Sequence, residues 1–162
     1  MAAVVTVALW TGQRQGDVLA MTWAALAGDR IKVRQSKSRK RLVIPMGRPL
    51  RELFDSLTKH GPVVLTSSDE RPWTSSGFRA SFRRACAKAK IGDLHFHDLR
   101  GTAVTRLALA GCTVTEIAAI TGHSLRDVES ILEAHYLGGQ TALAEAAIVK
   151  LEAKQTGGKS PN

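Results

Sequence analysis

Residues 97–111 read HDLRGTAVTRLALAG, and residues 112–136 continue as CTVTEIAAITGHSLRDVESILEAHY. This stretch reads as three helices in quick succession. The first starts near His97 and ends at Gly111. The second is introduced by Thr113-Val114-Thr115-Glu116, where a hydroxyl and a carboxylate three residues apart match a capping box, and it stops at Gly122. The third opens on the similar Ser124-Leu125-Arg126-Asp127 and carries Leu125, Val128 and Leu132 toward Tyr136. Gly138-Gly139 then breaks it. An amphipathic helix is expected from about Thr141 to Ala153, followed by a polar tail.

Upstream the pattern differs. Residues 2–11 are apolar and read as a helix ending near Gly12, and residues 13–22 as a short second helix. Ile31 and Val33, then Leu42, Val43 and Ile44, form two β-prone runs around the basic stretch Gln35 to Arg41. They predict a hairpin with a charged tip, closed by Pro45, with a third strand around Thr22 to Leu26. Leu50, Leu53, Phe54 and Leu57 lie on one face of a helix that Gly61-Pro62 should stop, and Val63 to Thr66 reads as a lone strand. Phe78, Phe82, Ala85 and Ala89 recur at helical spacing, with Arg79, Arg83, Arg84, Lys88 and Lys90 on the remaining faces. The expected fold is α+β and mainly α-helical, a small antiparallel three-stranded sheet packed beside a helical bundle. Residues 1–153 make one domain, and 154–162 a disordered tail.

The chain has 162 residues and a net charge of +9, from 23 Lys and Arg against 14 Asp and Glu. Such a surplus on one small domain favours a polyanionic partner but says nothing of chemistry. No apolar run approaches the roughly 20 residues that span a bilayer. The apolar start lacks the basic segment and cleavage site of a signal peptide. Cys86 and Cys112 make no zinc signature and read as reduced, in an intracellular protein.

Breaking a phosphodiester without a metal needs a nucleophile, cations on the non-bridging oxygens, an acid for the leaving oxygen and a base for the nucleophile's proton. Arginine suits the cationic task, because its planar fork matches two phosphate oxygens and keeps its charge. The sequence offers this set. Arg14 stands in TGQRQGDVL at the mouth of a helix, with Asp17 three residues on. His97 and Arg100 are spaced i and i+3, and His123 sits in the interhelical turn TGHS. Lys37 lies at the hairpin tip, and Tyr136 is the one tyrosine.

In this order, TGQRQGDVLAMTW, the hairpin lysine of QSKSRKRLVIPM, HDLRGTAVTRLALAG, TGHS and a downstream tyrosine resemble the tyrosine recombinase (phage integrase) family, across about residues 5 to 150. The resemblance implies a metal-independent catalytic domain that needs no cofactor and cuts and rejoins double-stranded DNA. Tyr136 would form a 3′-phosphotyrosine and free a 5′-hydroxyl. Arg14 and Arg100 would clamp the phosphate, and Lys37 would protonate the leaving oxygen. His97 would assist proton transfer as the base toward Tyr136, and His123 would donate to a phosphate oxygen. Arg34, Arg39, Lys40, Arg41, Arg79 and Arg83 would track the DNA backbone. The resemblance further implies a bacterial or phage-encoded cytoplasmic protein, monomeric when free and tetrameric on DNA, with the last helix either packed on its own domain or exchanged between protomers about Gly138-Gly139. The N-terminal DNA-clamping domain usual in the family is not among these residues.

One further feature sets the chain apart. His123 and Tyr136 are 13 positions apart, about one helical turn more than the family's usual spacing. Lys40 competes with Lys37 for the acid's role. Taken singly, each motif has an ordinary reading. A lone tyrosine on an apolar helix face is usually packing, Arg14 beside Asp17 a surface ion pair, the histidines caps or core, and a basic hairpin tip or helix face a solvated surface. Thr113 to Tyr136 also fits a helix-turn-helix regulator, and the phosphate chemistry fits a type IB topoisomerase.

Overall fold

The computed structural model describes residues 1–136, except for the side chains of His135 and Tyr136, together with residues 144–145, 148–149 and 151–152, which are helical. Within residues 1–136, seven helices and one sheet follow in chain order. They are α1 (Ala2–Thr11), α2 (Gln15–Leu19), a 3-10 turn at Trp23–Ala25, β1 (Leu26–Ala27), β2 (Arg30–Arg34), β3 (Arg41–Pro45), α3 (Arg48–Ser56), α4 (Ser75–Lys88), α5 (Asp98–Leu109), α6 (Val114–Thr121) and α7 (Leu125–Tyr136). Among the described residues no helix is long and apolar enough to cross a membrane. The fold is the expected mainly helical α+β class.

Helix α1 packs on α2, α3 and α5 through its buried Val4, Val7, Ala8 and Thr11, while Trp10 stays exposed. It ends where Gly12 takes the left-handed conformation (φ 63°) and returns its N–H to the Ala8 carbonyl. The sheet is antiparallel in the order β1-β2-β3, with Ile31 opposite Ile44 and Arg34 opposite Arg41. Alternation along β2 puts Ile31 and Val33 inward and Arg30, Lys32 and Arg34 outward. The third strand falls at Leu26–Ala27, later than expected, because the 3-10 turn occupies most of the Thr22 to Leu26 stretch.

Two other expectations are corrected. Helix α3 stops at Ser56, well before Gly61-Pro62. The Ser56 hydroxyl donates back to the Leu53 carbonyl, and Leu57 turns extended to pack on the core. Residues 63–66 form no strand, only isolated pairings of Thr22 with Val63 and Thr66 with Pro72. Val64 and Leu65 are consecutive and both buried, so the segment lacks the two-sided alternation of a sheet strand and crosses the core instead.

The main core joins α1, α2, the sheet, α3, α4 and the start of α5. Phe78, Phe82 and Phe96 form its aromatic centre, with Phe96 edge-on to both partners at 5.0 and 5.5 Å. A second, smaller core has Val104, Ile117 and Val128 at its heart and ties α5, α6 and α7 together. The capping box is present in full: Thr113 Oγ1 accepts from the Glu116 N–H while Glu116 Oε2 accepts from the Thr113 N–H at 2.6 Å. Ser124 and Asp127 do the same for α7. These caps fix two tight turns, and the second of them delivers His123. Gly138-Gly139 and most of the expected 141–153 helix and 154–162 tail lie outside the described residues.

Candidate active site

Four separate stretches meet at one place: the α1–α2 turn, the hairpin tip, the first turn of α5 and the α6–α7 turn. Arg14 caps α2 in extended conformation, and its Nη1 is buried without a partner. Arg100 lies in the first turn of α5 and is 3% exposed. Its Nη1 donates to the Gly12 and Thr121 carbonyls, the latter at 2.7 Å, while its Nη2 is buried without a partner. Two guanidinium groups therefore each keep an unsatisfied donor in the protein interior. Such donors cost free energy unless a ligand takes them up.

The electrostatics agree. Burial pulls Arg100 down to about 10, helped by the like charge of Arg14 and opposed by Asp17 and Asp127. It stays charged at neutral pH. His123 is pulled down to about 4, first by burial and then by Arg100, against Asp127, with smaller pushes from Arg14 and His97. An excess of positive charge is thus held together with few anions, a field that suits a phosphate.

His123 is consequently neutral, and its tautomer follows from its neighbour. The Thr121 hydroxyl spends its one hydrogen on the Ile117 carbonyl at 2.8 Å, so it must accept from His123 Nδ1, 2.8 Å away. Nε2 is left as an acceptor, and donating from it requires a second proton. Because the folded pKa lies below the ordinary value near 6.5, this group's stabilisation is complete above that value. It is lost as pH falls toward 4. The acid loss is expected to reach about 1–2 kcal/mol after screening. Thermal melts at pH 7 and pH 4.5 check it, since His123→Asn should lose less than the wild type over that interval.

The sequence of residues 1–136 matches the phage integrase family. The chain belongs to the phage integrase family. It is 36% identical over 121 residues to a shufflon-specific DNA recombinase of Escherichia coli, covering 72% of this chain and 30% of the recombinase. Its fold is similar to XerA recombinase, with TM-score 0.72 and 22% identity over 91% of this chain and 57% of XerA. It is also similar to lambda integrase in a tetramer bound to a Holliday junction, with TM-score 0.65 and 24% identity over 75% of this chain and 40% of that one. The chain thus spans about a third of the length of the curated recombinase that it matches.

Within this phage integrase family chain, the residues expected to act fall into two groups. Arg14, Arg100 and His123 are brought together, and His97, exposed at the N-cap of α5, is near enough to be felt by His123. Lys37 is exposed in the turn between β2 and β3. Lys40 is also exposed, but its Nζ donates to the Gly122 and His123 carbonyls at 3.2 and 3.3 Å, which occupies it as a strut. Arg34, Arg39, Arg41, Arg79 and Arg83 are exposed. Tyr136 is the last residue of α7, one unbroken helix, so its backbone lies about 16 Å along the axis from Leu125. Its side chain is outside the described residues.

Sequence reasoning missed the buried amides. Gln13, Gln35 and Thr121 are each 1% exposed or less. Asp17 makes no surface pair with Arg14; it is buried and accepts the Ser36 backbone N–H at 2.8 Å, tying the hairpin to α2. Spacing gave no signal of these, because glutamines beside basic residues look like ordinary surface. Gly122 is the hub of the arrangement. It is left-handed (φ 72°), and a Cβ there would lie 2.4 Å from Gln35 Nε2. Gly122→Ala is expected to cost about 2–3 kcal/mol, read as a lowered Tm.

Proposed function

We propose that this chain is the catalytic part of a site-specific DNA recombinase that cuts and rejoins strands through Tyr136. One observation carries the reading: Arg14 and Arg100 each hold a buried guanidinium nitrogen without a partner. A phosphate between them would satisfy both forks and offset the mutual repulsion. In the cutting step the Tyr136 phenol oxygen attacks phosphorus and the bond to the 5′-oxygen breaks. The phenol proton passes to His97, and a proton from the Lys37 ammonium completes the 5′-hydroxyl. The negative phosphate favours a second proton on His123, whose Nε2 then donates to a phosphate oxygen. Rejoining reverses these steps with another strand's hydroxyl, so the phosphoester bond is conserved without ATP.

The exposed arginines Arg34, Arg39, Arg41, Arg79 and Arg83 and the strut Lys40 contact the duplex backbone in this reading, and the net charge of +9 supports them. The chain is a monomer when free and a tetramer on DNA, with the helix after Gly138-Gly139 exchanged between protomers. The Holliday-junction tetramer of lambda integrase supports that assembly by analogy of fold. The helix-turn-helix regulator leaves the buried arginine pair unexplained, and a topoisomerase is not what the chain's recombinase relatives suggest.

The test uses a library of nicked duplexes with randomised flanks, in which the cut fragment diffuses away and traps the enzyme. Covalently captured DNA is sequenced and resynthesised. The expected result is an EDTA-resistant adduct whose DNA-bearing peptide contains Tyr136. An adduct on another residue, or nicking with no adduct, would overturn the reading.

A further inference from the structure

Lys37 stands on a polar turn, Gln35 to Lys40, exposed from Ser36 onward and of a kind that ordinarily moves freely. The base of this one is held. Gln35 is completely buried, and both of its amide hydrogens are used, one on Gln13 Oε1 at 2.7 Å and one on the Thr121 carbonyl at 2.9 Å. Its own oxygen accepts from the Ser38 hydroxyl at 2.6 Å, across the residue of interest. Gln13 is anchored in turn on the Thr11 and Ile120 carbonyls at 2.8 and 3.1 Å. The Thr121 carbonyl that takes Gln35 also takes Arg100 Nη1 at 2.7 Å. A single oxygen therefore anchors both the phosphate clamp and the first residue of the lysine turn.

We infer that Gln35 is a positioning residue for the general acid: its amide sets where Lys37 stands relative to the phosphate held by Arg100. The inference rests on the reading of Lys37 as the acid. It differs from a purely structural role in one measurable respect, because only the acid-dependent part of the reaction should suffer. When the 5′-bridging oxygen of the DNA is replaced by sulfur, the phosphorus–sulfur bond breaks with its electron pair leaving on sulfur. A thiolate needs no proton at neutral pH, so the acid becomes dispensable.

The experiment compares cleavage of the captured nicked duplex carrying oxygen or sulfur at that position, using the whole chain. Lys37→Ala serves as the reference, slow on oxygen and restored on sulfur. Gln35→Met keeps the side chain's length and removes its hydrogen bonds. It is expected to slow the oxygen substrate by about 100-fold, as a displaced catalytic group does, and to cleave the sulfur substrate within about threefold of wild type. Should Gln35→Met not fold, Ser38→Ala, which removes only the exposed hydroxyl's bond to Gln35, should give the same pattern at about a tenfold loss. Equal slowing on both substrates would overturn the inference and assign Gln35 to the clamp or the fold. Unchanged rates on both would overturn it as well. If Lys37→Ala itself gains nothing from sulfur, the acid assignment fails and takes the inference with it, a result distinct from failure of Gln35 alone.

Discussion

Tyr136→Phe is expected to abolish the covalent adduct on the nicked duplex, by at least about 10⁴-fold, while duplex binding and Tm stay at wild-type values. The substitution removes one oxygen and leaves the ring. The chain contains a single tyrosine, so no neighbouring phenol can take over the attack. Arg14, Arg100, His123 and Lys37 keep their places, and the salt-sensitive part of DNA binding, which comes from the basic surface, has no reason to change. Gel shifts at two salt concentrations, run beside the adduct assay, separate the two quantities. An undiminished adduct in the variant would remove Tyr136 from the mechanism.

The second large effect concerns Arg100. Arg100→Met is expected to lower cleavage by about 10³-fold with less than a tenfold loss in duplex affinity, because the clamp acts most strongly on charge that develops as the phosphate reacts. The same change should leave the melting temperature at or above the wild-type value. Burial, helped by the like charge of Arg14, pulls the Arg100 pKa down to about 10, so the fold disfavours the charged side chain. Methionine relieves that cost at similar volume, against the loss of donors to the Gly12 and Thr121 carbonyls, and Thr121 keeps the bond from Gln35. Activity and stability thus move in opposite directions at one residue. Parallel loss of cleavage, binding and melting temperature would place Arg100 in the scaffold.

These expectations differ from those for Gly122→Ala, where strain and collision with the Gln35 amide lower stability itself. The acid sensitivity assigned to His123 is different again, since it belongs to the titration of a group that the fold keeps neutral.

The helices were readable one by one because their determinants are local. The capping residues Thr113 with Glu116 and Ser124 with Asp127, the left-handed stops Gly12, Gly111 and Gly122, and the alternation of Ile31 and Val33 act within a few residues of themselves. The end of α3 was misplaced for a related reason: Ser56 and Leu57 stop that helix through a back-bond and a distant packing surface, which no punctuation residue announces. The candidate set Arg14, Lys37, His97, Arg100, His123 and Tyr136 stood out in the sequence because Arg, His, Lys and Tyr in a fixed order are rare in combination.

The chain's own residues settle which side chains are charged, which turns are forced and where helices begin. Only packing of α1, the hairpin, α5 and α6 against one another decides that Gln13 and Gln35 are buried. The same packing leaves two guanidinium groups each short of a partner and makes one carbonyl of Thr121 serve both Arg100 and the lysine turn. Burial and hydrogen-bond sharing depend on atoms brought together from residues more than 80 positions apart, such as Gln35 and Thr121. Local propensity carries no information across that distance.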